Sequence, residues 1–347
     1  DFIRYVRWKV NLNFFLREMT HLRYYAPVIR EGNARGAKST FYVVPSGKYN
    51  CPFTHQKKLE TFCKQNLVSV GSINEILNCQ DYLFTSEESG IDIIKRNKKA
   101  KKISMTYQTD FIKSYKNYFN HVDNILMPSR NIADFYGLHN SKNLYVGIPK
   151  YDIELDETLI CEKYKLNKDE KKVLFVWPKT RDLHKFPIDI INNFNELGWR
   201  VLIKARAKDP VSQGTKKSME EKGNHIFYDD WYPHTSQELL EVSNLVVNCG
   251  STTIEECVMH EVPLINFDIK PSIRHGQKQP YRVTHSYLYD YDFCLNLKSL
   301  NSSFSTSKLE LMTADLFSRD LNSSFKQCKE DWLYDHKNAC KNLLDVI

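Results

Sequence analysis

The stretch Leu245–Phe267, LVVNCGSTTIEECVMHEVPLINF, joins an apolar run to a glycine, three hydroxyl residues and a pair of glutamates. An apolar strand that stops at Cys249 and Gly250 needs a tight turn, and glycine permits one. Ser251 or Thr252 then stands where a helix is capped. The amino end of a helix carries N–H groups without helical partners and the positive end of the helix dipole, so it receives phosphate. The hydroxyls of Ser251, Thr252 and Thr253 add donors. One turn further, Glu255 and Glu256 bring carboxylates that accept hydrogen bonds from vicinal hydroxyls, such as those of a ribose. Phosphate and ribose together make a nucleotide. The same residues also fit an ordinary capped helix whose early glutamates complement the dipole.

A second cluster follows Arg200–Lys204, which reads as a strand. Lys204, Arg206 and Lys208 put cations at its carboxyl end, where they suit a diphosphate; a solvated loop is the plainer alternative. Arg206 is preferred because its planar fork pairs bidentately with phosphate oxygens. Other chemistries lack their motifs. There is no GxGxxG after the first strand, no GxxxxGK[ST] and no GxSxG, which argues against a dinucleotide Rossmann enzyme, a P-loop NTPase and an α/β-hydrolase. The nine cysteines form no CxxC pair and no zinc-finger spacing with histidine. Their odd number in a long chain reads as reduced thiols of a cytoplasmic protein.

These residues need a scaffold that brings loops to one edge. Short β-branched and aromatic runs alternate with longer amphipathic stretches, the pattern of parallel sheets covered by helices. In the first half, strands are expected near Lys9–Phe15, Thr40–Val44, Leu67–Val70, Tyr82–Thr85, Lys102–Thr106, Asn124–Met127 and Asn143–Val146. Helices are expected at His21–Arg35, Thr54–Gln65, Glu87–Lys98 and Asn131–Tyr136. Gly147 and Pro149 break the pattern, and the interdomain boundary is placed there. The second half repeats the plan, with strands at Lys172–Trp177, Arg200–Lys204, His225–Tyr228, Leu245–Asn248, Pro263–Phe267 and Phe293–Leu297. Its helices are expected at Ile188–Leu197, Gln213–Glu221, Ser236–Val242, Thr252–Met259 and Ser307–Ser318, with a helical tail over Asn322–Leu344. The domains are then 1–149 and 150–347, the C-terminal helices packing back on the first. In such sheets ligands bind beyond the carboxyl ends of the strands.

At 347 residues the length suits two domains, and 41% hydrophobic with 26% charged residues is a globular balance. The apolar runs, such as Val173–Trp177, fall far short of the ~18 residues of a membrane-spanning helix. The net charge of +7 divides into +11 over residues 1–150 and −4 over 151–347. The densest cationic run is Lys95, Arg96, Lys98, Lys99, Lys101 and Lys102. A solvated loop is the plain reading, and contact with an anionic lipid or acceptor the sharper one. Nucleic acid is not expected, because no helix-turn-helix, RNP or zinc-finger signature accompanies the charge.

Gly250, the hydroxyl residues, Glu256 six residues after the glycine and Pro263 seven after that glutamate together resemble the donor-nucleotide motif of GT-B glycosyltransferases. The segment is similar to those of the muramyl-pentapeptide N-acetylglucosaminyltransferase and the UDP-GlcNAc 2-epimerases. The resemblance implies an α/β, GT-B-like fold: two Rossmann-like domains with parallel sheets facing a central cleft. It implies Glu256 rather than Glu255 as the ribose ligand, with Ser251 and Thr252 by the diphosphate. A basic residue is common after the strand that here ends at Lys204, often in a Lys-Pro-His-Pro-like run; Lys204-Ala-Arg206 departs from it. The loop after Trp177, with Thr180, Arg181 and His184, is implied to touch donor phosphate, and Trp231 or Tyr232 to stack on the base. In the first domain His21 resembles the acceptor-side base of inverting members, since an imidazole near pKa 6.5 takes a proton from a hydroxyl. Asp110 is the alternative base.

The expected activity is transfer of a sugar from a UDP- or CDP/CMP-linked donor to a hydroxyl acceptor, a surface glycan or lipid-linked saccharide. No cofactor beyond the donor and no metal are expected, and Asp290-Tyr-Asp292 reads as a coincidental match to a metal-holding pair. The basic first domain suits a peripheral position at the inner membrane face. Three rivals stand beside this reading. A UDP-GlcNAc 2-epimerase-like enzyme needs several first-domain carboxylates, and this domain has few near its strand ends. A CDP-glycerol-type glycerophosphotransferase carries a His-Gly run that is missing here. A non-catalytic nucleotide-sugar binder is the third.

Overall fold

The computed structural model describes residues 9–45, 51–86, 90–105, 120–178, 185–206, 210–228, 230–267, 286–297, 304–332 and 336–347. The chain divides into two compact units, Asp1–Ile153 with Asp331–Ile347, and Glu154–Glu330.

The first unit holds β1 (Asn11–Leu16), α1 (Leu22–Arg35), β2 (Lys38–Val43), α2 (Gln56–Gln65), β3 (Val68–Gly71), β4 (Tyr82–Ser86), α3 (Ile91–Ile94), β5 (Lys101–Met105), β6 (Asn124–Met127), α4 (Arg130–Phe135) and β7 (Asn143–Tyr145). Its strands form one parallel sheet in the order β3-β2-β1-β4-β5-β6-β7. Strands buried on both faces read as continuous apolar runs, which is why β1 carries Phe14, Phe15 and Leu16 in succession, each at most 1% exposed.

The second unit begins with α5 (Glu157–Tyr164) and β8 (Lys172–Val176). It continues through α6 (Lys185–Glu196), β9 (Arg200–Lys204), α7 (Gln213–Glu221), β10 (His225–Phe227), α8 (Thr235–Glu241), β11 (Leu245–Asn248), α9 (Thr253–His260), β12 (Leu264–Phe267), β13 (Cys294–Leu297), α10 (Thr306–Ser318) and α11 (Leu321–Trp332). The sheet order is β10-β9-β8-β11-β12-β13, again parallel. Val173, Phe175, Val201, Ile203, Leu245, Val247, Ile265 and Phe267 share a core cluster with Ile190, Ile191 and Phe194 of α6. The alternate residues of the same strands therefore point to the other face.

The chain leaves α11 and returns to the first unit, where α12 (Ala339–Val346) packs on α1. Leu343 and Leu344 are buried, Arg35 Nη1 reaches Asp345 Oδ1 at 2.6 Å, and the Cys340 amide donates to Asp152 Oδ2 at 2.8 Å.

Two helices differ from the sequence reading. The helix expected over Glu87–Lys98 is only α3 within the described residues. Gly90 sits at φ +76 before it, Lys95 is its C-cap, and the buried Asn97 lies two residues beyond the cap. The Asn97 amide donates to Ile76 O at 2.6 Å and Cys79 O at 3.1 Å, while its oxygen accepts from the amides of Lys99 and Ala100 at 2.7 and 2.8 Å. Asn97 thus binds backbone outside the helix, so the chain past Lys95 is held by these contacts and not by a continued helical ladder. The helix α5 was not expected. Asp156 caps it, accepting from Thr158 N and Leu159 N, but only Ile160 and Cys161 are buried, a stripe too narrow to show as periodicity.

All nine cysteines are free and buried. Burial raises the thiols of Cys63 and Cys79 to about 11 and that of Cys294 to about 12, and pushes those of Cys249, Cys257 and Cys340 up as well. A raised pKa lowers the thiolate fraction at neutral pH, and thiolate is the nucleophile. Native protein at pH 8 is therefore expected to react with Ellman's reagent only on the timescale of unfolding, with all nine reacting in guanidinium; fast reaction of the folded chain would contradict this burial.

Among the described residues no helix is long and apolar enough to cross a membrane.

Candidate functional site

In both sheets the direction of chain crossover reverses once, between β1 and β4 in the first unit and between β8 and β11 in the second. Crevices beyond the carboxyl ends at such a reversal are where doubly wound sheets take ligands. In the second unit that edge is level across every strand. Phe227 pairs with Lys204, Lys204 with Val176, Phe175 with Val247, Asn248 with Asn266, and Asn266 with Asn296. The loops that begin at Tyr228, Ala205, Trp177 and Cys249 therefore leave the sheet side by side.

The turn after β11 is built as follows. Gly250 adopts φ +63, the left-handed region. Ser251 N donates to Asn248 Oδ1 at 3.3 Å, and Asn248 Nδ2 donates back to Ser251 O at 3.1 Å. The Ser251 and Thr253 hydroxyls lie 3.1 Å apart. Thr252 occupies the cap position of α9 but makes no capping hydrogen bond with its side chain. Gly250, Ser251 and Thr252 are half-buried, so the turn is partly open, whereas Glu255 and Glu256 are each 4% exposed. The Glu256 carboxylate lies 4.0 Å from Nδ1 of the buried His234.

Lys204 closes β9 at 9% exposure, and Arg206 is half-buried two residues on. An antiparallel bridge between Trp231 and His234 closes the loop after β10. Trp231 is 4% exposed and Tyr232 half-buried, so of the two expected stacking residues Tyr232 presents the accessible ring. Thr180, Arg181, His184 and Lys208 lie outside the described residues. Asp290 and Asp292 are exposed and precede β13, at the amino edge of the sheet and away from the turn.

In the first unit His21 follows β1 at the point of reversal. It ends the 3-10 turn Met19–His21, is 6% exposed, and sets its ring 5.8 Å from that of Tyr25 at 70°. Tyr25 OH donates to Phe15 O at 3.0 Å, which ties α1 to the end of β1. Asp110 lies outside the described residues. The cationic run flanks the start of β5, at the amino edge opposite His21, and Lys95, Arg96, Lys98, Lys99 and Lys101 are exposed. Lys95 and Lys102 are partly offset by Asp92 at 2.8 Å and Asp123 at 3.5 Å.

Sequence reading did not single out His234 or the asparagines at the strand ends. The signal available for the latter was a polar residue, disfavoured in strands, closing the apolar run at Asn248 and interrupting the one at Asn266.

No family model matches the chain, and no curated protein matches it by sequence. Solved structures do. LpCGTa in complex with UDP matches at 11% identity over 98% of each chain, with a TM-score of 0.62. UDP-GlcNAc 2-epimerase from Neisseria meningitidis, bound to UDP-GlcNAc, matches at 11% identity over 97% of this chain and 99% of that one, with a TM-score of 0.58. A glycosyltransferase from Rickettsia africae matches at 11% identity over 97% of both chains, with a TM-score of 0.56. The fold is GT-B-like. Within this GT-B-like chain, the second unit's carboxyl edge carries the glycine turn, the start of α9, two buried glutamates and, two strands away, the two cations at the end of β9. That set of groups is equipped to bind an anion and a hydroxyl-bearing ring together.

Proposed function

We propose that the chain transfers a glycosyl group from a nucleotide sugar to a hydroxyl acceptor. The observation that carries this reading is the turn Cys249–Thr252 opening α9 beside the β8/β11 reversal, with Glu256 buried one turn along. Ser251, Thr252 and the first amides of α9 receive the diphosphate. Lys204 and Arg206 at the end of β9 supply cations for it, and the sequence resemblance assigns Thr180 and Arg181 to it as well. Glu256 accepts from the ribose hydroxyls, and Tyr232 or Trp231 lies against the base. In the reaction the acceptor oxygen bonds to the anomeric carbon, and the bond from that carbon to the diphosphate oxygen breaks. The electron pair leaves with the phosphate, and His21 or Asp110 takes the acceptor's proton. Helix dipole and cations aimed at the developing phosphate charge are the stabilising term expected to dominate.

UDP is the first donor nucleotide to test, since it accompanies LpCGTa, and CDP and CMP follow. The exposed cations at Lys95–Lys101 lie at the edge opposite His21, so they support a peripheral place on the cytoplasmic side of an anionic membrane rather than a contact with the acceptor hydroxyl. A second reading, a UDP-GlcNAc 2-epimerase-like reaction, is supported by the likeness to the Neisseria enzyme.

A thermal-shift panel of UDP-, CDP-, CMP- and GDP-linked sugars tests the donor. Binding to the folded chain alone raises the melting temperature with ligand concentration. A flat response to the whole panel removes the proposal. With a binder in hand, nucleotide release that requires a lipid-linked saccharide in anionic vesicles supports transfer. Conversion of UDP-GlcNAc without any acceptor supports the epimerase reading instead.

A further inference from the structure

Three asparagines stand side by side on one rung of the second sheet: Asn248 on β11, Asn266 on β12 and Asn296 on β13. Asn248 and Asn266 are 0% exposed. A buried amide in an apolar strand is costly unless its hydrogen bonds are made, and here they are made to one another. The Asn266 amide nitrogen donates to Asn296 Oδ1 at 2.8 Å, and the Asn248 nitrogen donates to Asn266 Oδ1 at 2.8 Å. Every donation runs the same way. Asn248 is left with its oxygen towards the Ser251 amide, 3.3 Å away.

Turning the Asn248 amide over would set its oxygen against the oxygen of Asn266 and its NH2 against the Ser251 N–H. Asn266, together with the Ser251 carbonyl that accepts from the same nitrogen at 3.1 Å, therefore selects one of two orientations, and only that one holds the turn in the shape described above. We propose that Asn266, backed by Asn296, is a positioning residue for the donor diphosphate, acting through Asn248 on the turn at 249–252. This rests on the nucleotide-binding reading of that turn. Neither Asn266 nor Asn296 needs to touch ligand; their effect is confined to what the turn contacts.

The test compares a nucleoside diphosphate with its nucleoside. Wild-type protein, Asn266→Leu and Asn296→Leu are titrated by calorimetry with whichever of UDP, CDP, GDP and ADP the wild type binds, and by NMR with the matching nucleoside. Asn266→Leu is expected to raise the diphosphate Kd about tenfold, the scale of one lost buried hydrogen bond, with the nucleoside Kd unchanged. Asn296→Leu, at the half-buried end of the chain of amides, is expected to raise it about threefold, and carries the test alone if Asn266→Leu does not fold. Unchanged diphosphate affinity in the folded variants overturns the proposal. So does equal weakening of diphosphate and nucleoside, which is what general loosening of the unit would produce. A wild-type chain that binds none of the four diphosphates removes the nucleotide reading itself, a result distinct from either.

Discussion

Replacing Glu256 with alanine is expected to weaken UDP binding by about thirtyfold, the scale of a charge-assisted hydrogen bond lost from a ribose. The Glu256 carboxylate is buried, with Nδ1 of the buried His234 4.0 Å away. A ligand control separates a ribose contact from damage to the unit. Wild-type protein should bind 2′,3′-dideoxy-UDP more weakly than UDP by a similar factor, and Glu256→Ala should treat the two ligands alike. Glu255 is equally buried but points about 100° further round the helix. Glu255→Ala should keep the preference for UDP over the dideoxy compound. If Glu256→Ala retains full UDP affinity by calorimetry, the ribose assignment is lost.

The second large effect is on stability. Gly90→Ala is expected to destabilise the first unit by about 2–5 kcal/mol, from two sources that add. Gly90 sits at φ +76, where an L side chain costs about 1–2 kcal/mol. The new Cβ would lie 2.1 Å from Cζ of Phe15, a residue 1% exposed, and overpacking adds about 1–3 kcal/mol. Gly250→Ala is the internal comparison. Its φ is +63, yet nothing lies within 4 Å of the added carbon, so only the backbone strain applies. Urea unfolding of the two variants should separate them by at least the steric contribution. Equal losses would mean that the Phe15 ring relieves the overlap by moving.

The sheets were legible because parallel strands buried on both faces appear as unbroken apolar runs, as in Lys172–Val176 and Leu245–Asn248. Glycine after such a run, followed by hydroxyl residues, marked the turn at Gly250 before any contact was known. What stayed hidden depends on partners far away in the chain. The pairing of Asn248 with Asn266 and Asn296 is set by strand register, and the approach of His234 to Glu256 by the packing of α8 against α9. Neither leaves a local spacing to read. The shortening of the helix near Gly90 has the same origin, because the groups that Asn97 binds belong to Ile76 and Cys79. Asp156 shows the complementary case, a local cap signal without the apolar stripe that would have drawn attention to it.

The return of Asp331–Ile347 to the first unit bears on how the molecule can be dissected. A gene fragment stopping at Ile153 would encode a torso without its last helix. Arg35 would lose Asp345, Asp152 would lose the Cys340 amide, Tyr82 would lose the carbonyl of Ile347, and Ser129 would lose that of Trp332. The apolar seat of Leu343 and Leu344 on α1 would face water. Expressing that half alone therefore calls for splicing residues 331–347 onto its end, whereas the other half is a single uninterrupted stretch that can be excised whole.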